Sequence, residues 1–332
     1  MIGRTAIIFA ALLLLLSCKS DASPMGASKS TAPGTSAASG TGTGTGTDTP
    51  SGTGTGTGTG TTWAMPAVVG AERPTRVYAP RALREGRAGT RRYPLVLMLH
   101  GYGASGAGVA RGLGYAALVE RAPLLLLAPD GRFNRVRRRF WRADPLCCDF
   151  FDGGKGDDDA RYLRSLLERV IATYPVDRRR IYAVGHSNGG NMAYRLACFA
   201  SDLLAAVVSF AGSTHRAGCA PRRGALSVLQ IHGDADPVVP YTPKRVGRPL
   251  GRVAALPGAV GALSMWGDLL GCKGTLGEPS TLALHITARS VASCAPRVDA
   301  TLWTVRGGDH TARRLPRFAE RTWRWLLAHP KP

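Results

Sequence analysis

Three segments of the sequence carry side chains that together could perform nucleophilic catalysis. Residues 185–189 read GHSNG and match the pattern G-x-S-x-G, with Ser187 at its centre. Aspartates follow at positions 234 and 236, and His310 follows later in the chain. A serine hydroxyl becomes a strong nucleophile when an imidazole takes its proton, and a carboxylate must orient that imidazole. The order Ser, Asp, His therefore predicts a hydrolase with Ser187 as nucleophile and His310 as general base.

The elements around Ser187 favour this interpretation. Residues 180–184 (RIYAV) predict a strand, and apolar residues at helical spacing in 192–199 predict a helix. A tight strand-to-helix turn that exposes a serine needs neighbours without a Cβ atom, and Gly185 and Gly189 meet that need. A serine that only caps a helix would not require glycine on both sides. The pattern therefore predicts a nucleophile elbow.

The other catalytic groups are also expected at strand ends. Asp234 and Asp236 both follow the predicted strand 227–232, and the spacing alone does not choose between them. Of the seven histidines, His310 is the one that follows a predicted strand, 302–305, and lies downstream of both the serine and the aspartates. An oxyanion hole needs one N–H donor after the nucleophile and another from an earlier loop. We expect Asn188 and Tyr102 to supply these two N–H groups.

A competing interpretation comes from residues 101–106, which read GYGASG and fit the dinucleotide-binding pattern G-x-G-x-x-G after a strand. Asp130 follows 24 residues later, as a Rossmann dehydrogenase would require. The later strand ends carry the serine, aspartate and histidine instead. We therefore assign these glycines to the oxyanion loop of a hydrolase.

Alternating strands and helices indicate an α/β protein. Nearly continuous apolar strands with intervening helices are typical of a mostly parallel central sheet with helices on both faces. Chemistry in such sheets lies at the carboxyl ends of the strands. The predicted strands are 76–79, 93–100, 124–129, 180–184, 204–210, 226–232 and 300–306, and the predicted helices include 161–172, preceded by Asp157 to Asp159, and a closing helix over 315–327.

The amino-terminal part predicts export. Residues 1–17 read as a secretory signal of the lipoprotein type, in which Cys18 would be lipidated, although an ordinary signal with a chance cysteine has a similar pattern. Residues 18–62 are rich in Thr, Gly and Ser and cannot bury a core, so we interpret them as a disordered tether. We expect residues 63–332 to form the catalytic domain, anchored to the bacterial cell envelope at the outer membrane or cell surface.

The six remaining cysteines predict disulfides, because their number is even in an exported domain. Cys198 with Cys219 and Cys272 with Cys294 each join an element end to a loop about 20 residues later. The neighbours Cys147 and Cys148 could form a vicinal bridge or stay reduced. No pair has the spacing of a structural zinc site, and we expect no metal or organic cofactor.

The net charge of +21 raises the question of an anionic partner. The basic loop is defined here as residues 132–156, and it contains Arg135, Arg137, Arg138, Arg139 and Arg142 beside Phe140 and Trp141. We do not expect nucleic acid as a partner of an exported chain. The two remaining interpretations are a solvated arginine-rich surface and a positive field that attracts anionic substrates.

Together, these motifs resemble a family of secreted α/β-hydrolases, which comprises polyhydroxybutyrate depolymerase-like esterases and the feruloyl and acetylxylan esterases of carbohydrate esterase family one. The resemblance runs from about residue 93 to 325 and favours Asp236 as the triad acid, since it precedes x-x-Val-Pro. It implies a serine esterase that acts on hydroxyalkanoate oligomers or on feruloyl or acetyl esters of polysaccharide, and we expect the protein to be a monomer. Asp309 stands where the family has glycine, and no Trp-Pro follows His310. A serine peptidase of the same fold, or a non-catalytic polysaccharide-binding lipoprotein, are the alternatives.

Overall fold

The computed structural model describes residues 65–143, 147–148, 159–214, 219–221, 226–247, 253–311 and 315–331. The expected signal peptide, Cys18 and the tether lie outside these ranges, as do Asp157 and Asp158. Among the helices in these ranges, none has the length and apolar character needed to cross a membrane.

A ten-stranded sheet dominates the structure, in the order β1-β2-β4-β3-β7-β8-β9-β14-β13-β12. The six strands from β4 to β14 in this order are mutually parallel. Their apolar residues are buried because helices cover both faces. The strands are β1 Val68–Val69, β2 Thr75–Tyr78, β3 Tyr93–Leu99, β4 Leu125–Leu127, β5 Arg132–Phe133, β6 Arg139–Phe140, β7 Val176–His186, β8 Ala206–Phe210, β9 Ser227–Gly233, β10 Lys244–Gly247, β11 Val253–Leu256, β12 Ser280–Ala283, β13 Ile286–Ser290 and β14 Ala300–Val305.

Antiparallel strands extend both ends of the parallel region. On one side β2 pairs with β4 and β1 pairs with β2; on the other, β13 pairs with β14 and β12 pairs with β13. Two further antiparallel pairs, β5 with β6 and β10 with β11, stand outside this sheet. The predicted parallel sheet is confirmed, but the sequence did not predict β12 and β13 or the two separate pairs.

Helices pack on the two faces and form two apolar cores. One core includes Met192 and Trp266, and the ring of Trp266 stacks on that of Tyr194 at a centroid distance of 5.2 Å. The other core includes Val109 and Trp323. The helices are α1 Arg81–Arg84, α2 Gly106–Gly112, α3 Tyr115–Val119, α4 Asp159–Thr173, α5 Asn188–Phe199, α6 Gly258–Leu270 and α7 Phe318–Ala328.

The registers of the central strands align the segments that carry the predicted catalytic groups. His186 of β7 pairs with Phe210 of β8, and Phe210 pairs with Ile231 of β9. Two residues further along β9, Gly233 pairs with Val305 of β14. The chain therefore leaves β7, β9 and β14 at the same edge of the sheet.

Candidate active site

Ser187 occupies a strained turn between β7 and α5. Its backbone angles are φ 55° and ψ −118°, and the positive φ is unusual for a residue with a Cβ atom. A Cβ atom on Gly185 would clash with the carbonyl oxygen of Gly189, and one on Gly189 would clash with that of Leu99. Both glycines are therefore required by close backbone packing, and the turn presents the Ser187 hydroxyl at the end of the strand.

His310 lies between Ser187 and Asp236 and is hydrogen-bonded to both. Its Nε2 atom is 2.8 Å from Oγ of Ser187, and its Nδ1 atom is 2.7 Å from Oδ2 of Asp236. With a proton on Nδ1, the imidazole donates to the carboxylate and accepts from the hydroxyl. The structure thus brings together the three side chains that the sequence selected from three separate loops.

The two aspartates after β9 have different positions. The Asp236 carboxylate is buried, and its Oδ1 atom accepts from the backbone N–H groups of Val238 (2.8 Å) and Val239 (3.0 Å). Asp234 is exposed and accepts from the N–H of Gly307 at 2.6 Å. Asp236 therefore contacts the histidine, while Asp234 joins the loops that follow β9 and β14.

The surroundings of Asp236 favour its ionised form. Burial opposes ionisation, but hydrogen bonds from His232 and His310, the charge of His310 and the N–H of Val239 outweigh it and hold the pKa of Asp236 well below its usual range. An ionised carboxylate at this position can stabilise an imidazolium at His310. That is the electrostatic requirement for a histidine that accepts a proton.

The two predicted oxyanion donors lie in segments next to Ser187. Asn188 is the first residue of α5 and directly follows Ser187, so its N–H belongs to the unpaired first turn of the helix. Tyr102 follows Gly101, and a Cβ atom added to Gly101 would lie 3.4 Å from the Cβ of Ser187. The loop after β3 therefore passes against the nucleophile, as the assignment of Tyr102 and Asn188 requires.

Trp141 and His100 support these segments, and the sequence did not predict their roles. The Trp141 N–H donates to Oδ1 of Asn188 (2.6 Å), Nδ2 of Asn188 donates to the Trp141 carbonyl (2.9 Å), and the indole N–H donates to the carbonyl of His100 (3.0 Å). The His100 ring donates to the carbonyl of Gly101 (2.7 Å) and accepts from the N–H of Gly131 (2.8 Å). These bonds fix the loop after β3 against the start of α5.

His186 packs against His310, the predicted general base. Its ring centroid is 5.2 Å from that of His310, and its Nε2 atom donates to the His310 carbonyl at 2.8 Å. Burial, reinforced by the charge of His310, lowers the pKa of His186 to about 4. His186 is therefore neutral near pH 7 and adds no positive charge beside His310. A histidine at the x position of G-x-S-x-G carries no sequence signal for this role.

The cysteines of the described residues form three disulfides. Cys198 is bonded to Cys219 and Cys272 to Cys294, which is the pairing predicted from their spacing. Cys147 and Cys148, left open by the sequence, are bonded to each other. Lipidation of Cys18 concerns a residue outside the described ranges and stays a prediction.

Comparisons with known proteins agree with this geometry. The model of the family described as Esterase PHB depolymerase matches residues 78–242, which include Tyr102, Ser187 and Asp236. The protein named "Putative esterase NocK" from Nocardia uniformis subsp. tsuyamanensis is 34% identical over 178 residues, 52% of this chain and 48% of that protein. Feruloyl esterase B from Piromyces equi is 27% identical over 175 residues, 51% of this chain and 31% of that protein. The chain thus covers less than half the length of either relative.

Among solved structures, an acetyl xylan esterase from Aspergillus awamori is similar in fold. The TM-score is 0.55 at 14% identity, over 77% of this chain and 94% of that one. The parallel sheet, the helices on its two faces and the turn at Ser187 match the α/β-hydrolase fold, as predicted. Residues 78–242 of the chain thus form a domain that matches the esterase PHB depolymerase family, and the protein has the α/β-hydrolase fold.

Proposed function

We propose that the protein is an exported carboxylic ester hydrolase that acts through Ser187, His310 and Asp236. The observation that carries the proposal is the continuous chain of hydrogen bonds from the Ser187 hydroxyl through the His310 ring to the Asp236 carboxylate. The match of residues 78–242 to an esterase family supports the same reaction.

In the first half of the reaction, Oγ of Ser187 attacks the ester carbonyl carbon while its proton passes to Nε2 of His310. The carbonyl oxygen becomes an oxyanion, which the N–H groups of Tyr102 and Asn188 stabilise. Collapse of this intermediate breaks the bond to the alcohol oxygen, and the imidazolium donates its proton to the leaving alcohol. The product is an acyl-enzyme on Ser187.

In the second half, His310 takes a proton from water, and the resulting hydroxide attacks the acyl carbonyl. The second tetrahedral intermediate releases the carboxylic acid as His310 returns the proton to Oγ of Ser187. Asp236 keeps the ring oriented and stabilises the imidazolium in both halves, consistent with its low pKa.

The candidate substrates are hydroxyalkanoate oligomers and the feruloyl or acetyl esters of polysaccharide. The name of the matching family supports the first class, and the names of the relative and of the solved structure support the second. Three disulfides support export to an oxidising compartment. Anchoring through a lipid on Cys18 would place the enzyme on the cell envelope.

The test is a substrate panel for the purified protein: p-nitrophenyl esters, methyl ferulate, acetylated xylan, hydroxybutyrate oligomers and a peptide mixture. We expect turnover of one or more ester classes, and labelling of Ser187 by a fluorophosphonate, read by mass spectrometry. Turnover of peptides alone would favour a peptidase, whereas no turnover and no labelling would favour a binding protein.

A further inference from the structure

The hairpin formed by β5 and β6 lies beside the loop that carries Tyr102. The N–H of Gly103 donates to the carbonyl of Arg139 at 2.8 Å, and Nδ2 of Asn134 donates to the Tyr102 hydroxyl at 2.8 Å. Five arginines belong to this hairpin: Arg132, Arg135, Arg137, Arg138 and Arg139. The hairpin therefore places several arginines next to the loop that carries Tyr102, the candidate oxyanion donor.

These arginines are not equivalent, because two of them are used in ion pairs. Nε of Arg132 lies 3.4 Å from Oδ1 of the buried Asp159, and Nε of Arg139 lies 3.1 Å from Oδ2 of Asp130. Both pairs fix the hairpin to the rest of the domain. The arginines of the hairpin therefore do not all contribute equally to the positive charge of this surface.

Arg138 occupies a different position. Its Cδ and Nη1 atoms lie 3.6 Å and 3.9 Å from the place that a Cβ atom on Gly103 would take, and its side chain is exposed. Within the described ranges, no carboxylate pairs with its guanidinium. Gly103 is two residues beyond Gly101, which packs against Ser187. The exposed guanidinium of Arg138 thus lies along the loop that passes Ser187.

We propose that Arg138 forms a subsite for a carboxylate carried by the ester substrate. This inference rests on the proposed esterase function and adds a substrate class to it, namely esters with a negative charge near the scissile bond. A guanidinium offers paired N–H donors that match the two oxygens of a carboxylate. The carboxylate could be on the acyl side, as in a dicarboxylic half-ester, or on the alcohol side.

The test compares esters matched in size but not in charge. Mono-p-nitrophenyl adipate and p-nitrophenyl hexanoate differ in charge on the acyl side; 4-acetoxybenzoate and methyl 4-acetoxybenzoate differ on the alcohol side. The readout is the ratio of kcat/KM for the anionic ester to kcat/KM for the neutral one, after subtraction of spontaneous hydrolysis. We expect Arg138→Gln to lower this ratio about 3- to 5-fold in one of the two pairs, since exposed ion pairs contribute up to about 1 kcal/mol.

Two variants complete the design. Arg137→Gln removes the same charge from the same turn, where the guanidinium lies 5.7 Å from the centroid of the Phe133 ring, and should keep the wild-type ratio. Arg138→Lys should restore part of the ratio. If Arg137→Gln and Arg138→Gln lower the ratio equally, the preference for anionic esters comes from the combined positive charge of the hairpin and the subsite proposal is wrong. An unchanged ratio in Arg138→Gln would also overturn the proposal. Failure of the wild-type protein to hydrolyse any ester, neutral or anionic, would instead overturn the esterase function, and the subsite with it.

Discussion

His232 and Asp236 are in contact at the end of β9: Nε2 of His232 lies 3.3 Å from Oδ2 of Asp236, the same oxygen that accepts from His310. His232 is fully buried, and its Nε2 atom also donates to the carbonyl of Val239 at 2.9 Å. Its Nδ1 atom accepts from Nε2 of Gln230 at 2.8 Å. The Asp236 carboxylate is thus in contact with a second, buried histidine in addition to His310.

This contact predicts that His232 positions Asp236. In His232→Asn we expect kcat to fall about 10-fold with little change in KM, because a misplaced carboxylate weakens proton transfer rather than substrate binding. Steady-state kinetics on a p-nitrophenyl ester measure both constants. The matched control is His329→Asn, which removes another histidine–carboxylate pair, with Asp299. Equal losses of kcat in the two variants would contradict a specific role for His232.

Replacement of the nucleophile gives the largest expected effect. Ser187→Ala should lower kcat by about 10⁶, the scale seen when one member of a serine triad is removed. The measurement is ester turnover, with fluorophosphonate labelling as a second readout. Ser213→Ala is the control, because the Ser213 hydroxyl is buried and has no hydrogen-bond partner among the residues that the structure describes. Labelling that persists in Ser187→Ala would show that another residue is the nucleophile.

The two aspartates after β9 should differ in their kinetic effect. Asp236→Asn should lower kcat by about 10⁴, because the amide no longer selects the productive tautomer of His310. Asp234→Asn should lower kcat no more than about 10-fold, since the Asp234 carboxylate is exposed and accepts from the N–H of Gly307 rather than from His310. Parallel kcat measurements on the two variants test the assignment, and a larger loss in Asp234→Asn would reverse it.

The low pKa of His186 predicts a pH-dependent stability. The unfolded imidazole binds a proton below its ordinary pKa of about 6.5, whereas the folded one does so only below about 4. Between these values the unfolded state holds the extra proton, so the free energy of unfolding should decrease as the pH falls from 6.5 to 4.

Urea denaturation of His186→Gln across this pH range tests the effect. The variant should show a shallower decrease than the wild type, and His285→Asn, which changes an exposed histidine, should not. Identical pH profiles for His186→Gln and the wild type would contradict the prediction.

The disulfide between Cys198 and Cys219 should contribute to stability. It closes a loop with a sequence separation of 21, for which chain entropy gives about 3 kcal/mol. We expect the double variant Cys198→Ala/Cys219→Ala to lose about that much free energy of unfolding in non-reducing urea titrations. Peptide mapping without reduction checks the pairing, and a peptide linking Cys198 to Cys272 would contradict it.

Sterics and hydrophobic pattern explain which parts of the fold and site were predictable. Strands β3 and β9 are buried along their whole length and β7 is buried from Ile181 to Gly185, and the glycines around Ser187 have a steric requirement visible in the pentapeptide. Strand β12, with the sequence STLA, is largely exposed and gives no hydrophobic signal. The pair β12–β13 was therefore not predicted.

Within the site, the unpredicted features depend on burial and tertiary hydrogen bonds. Asp234 and Asp236 follow the same strand, so the residue pattern alone does not show which of them contacts His310. The family resemblance favoured Asp236, and in the structure Asp236 is the one that is buried and bonded to His310. His232 lies within an apolar strand, and Trp141 resembles any core aromatic residue. Their bonds to Asp236 and Asn188 appear only when the loops are brought together.

The position of β14 has a consequence for biosynthesis. Among the described strands it comes last in the sequence, yet it lies inside the sheet between β9 and β13, and the loop after it carries His310. A nascent or truncated polypeptide without β14 would contain Ser187 and Asp236 but no general base, and its sheet would be open at β9. If His310 is the general base, as proposed, the protein should therefore have no esterase activity during translation and should become active only when β14 is inserted into the sheet.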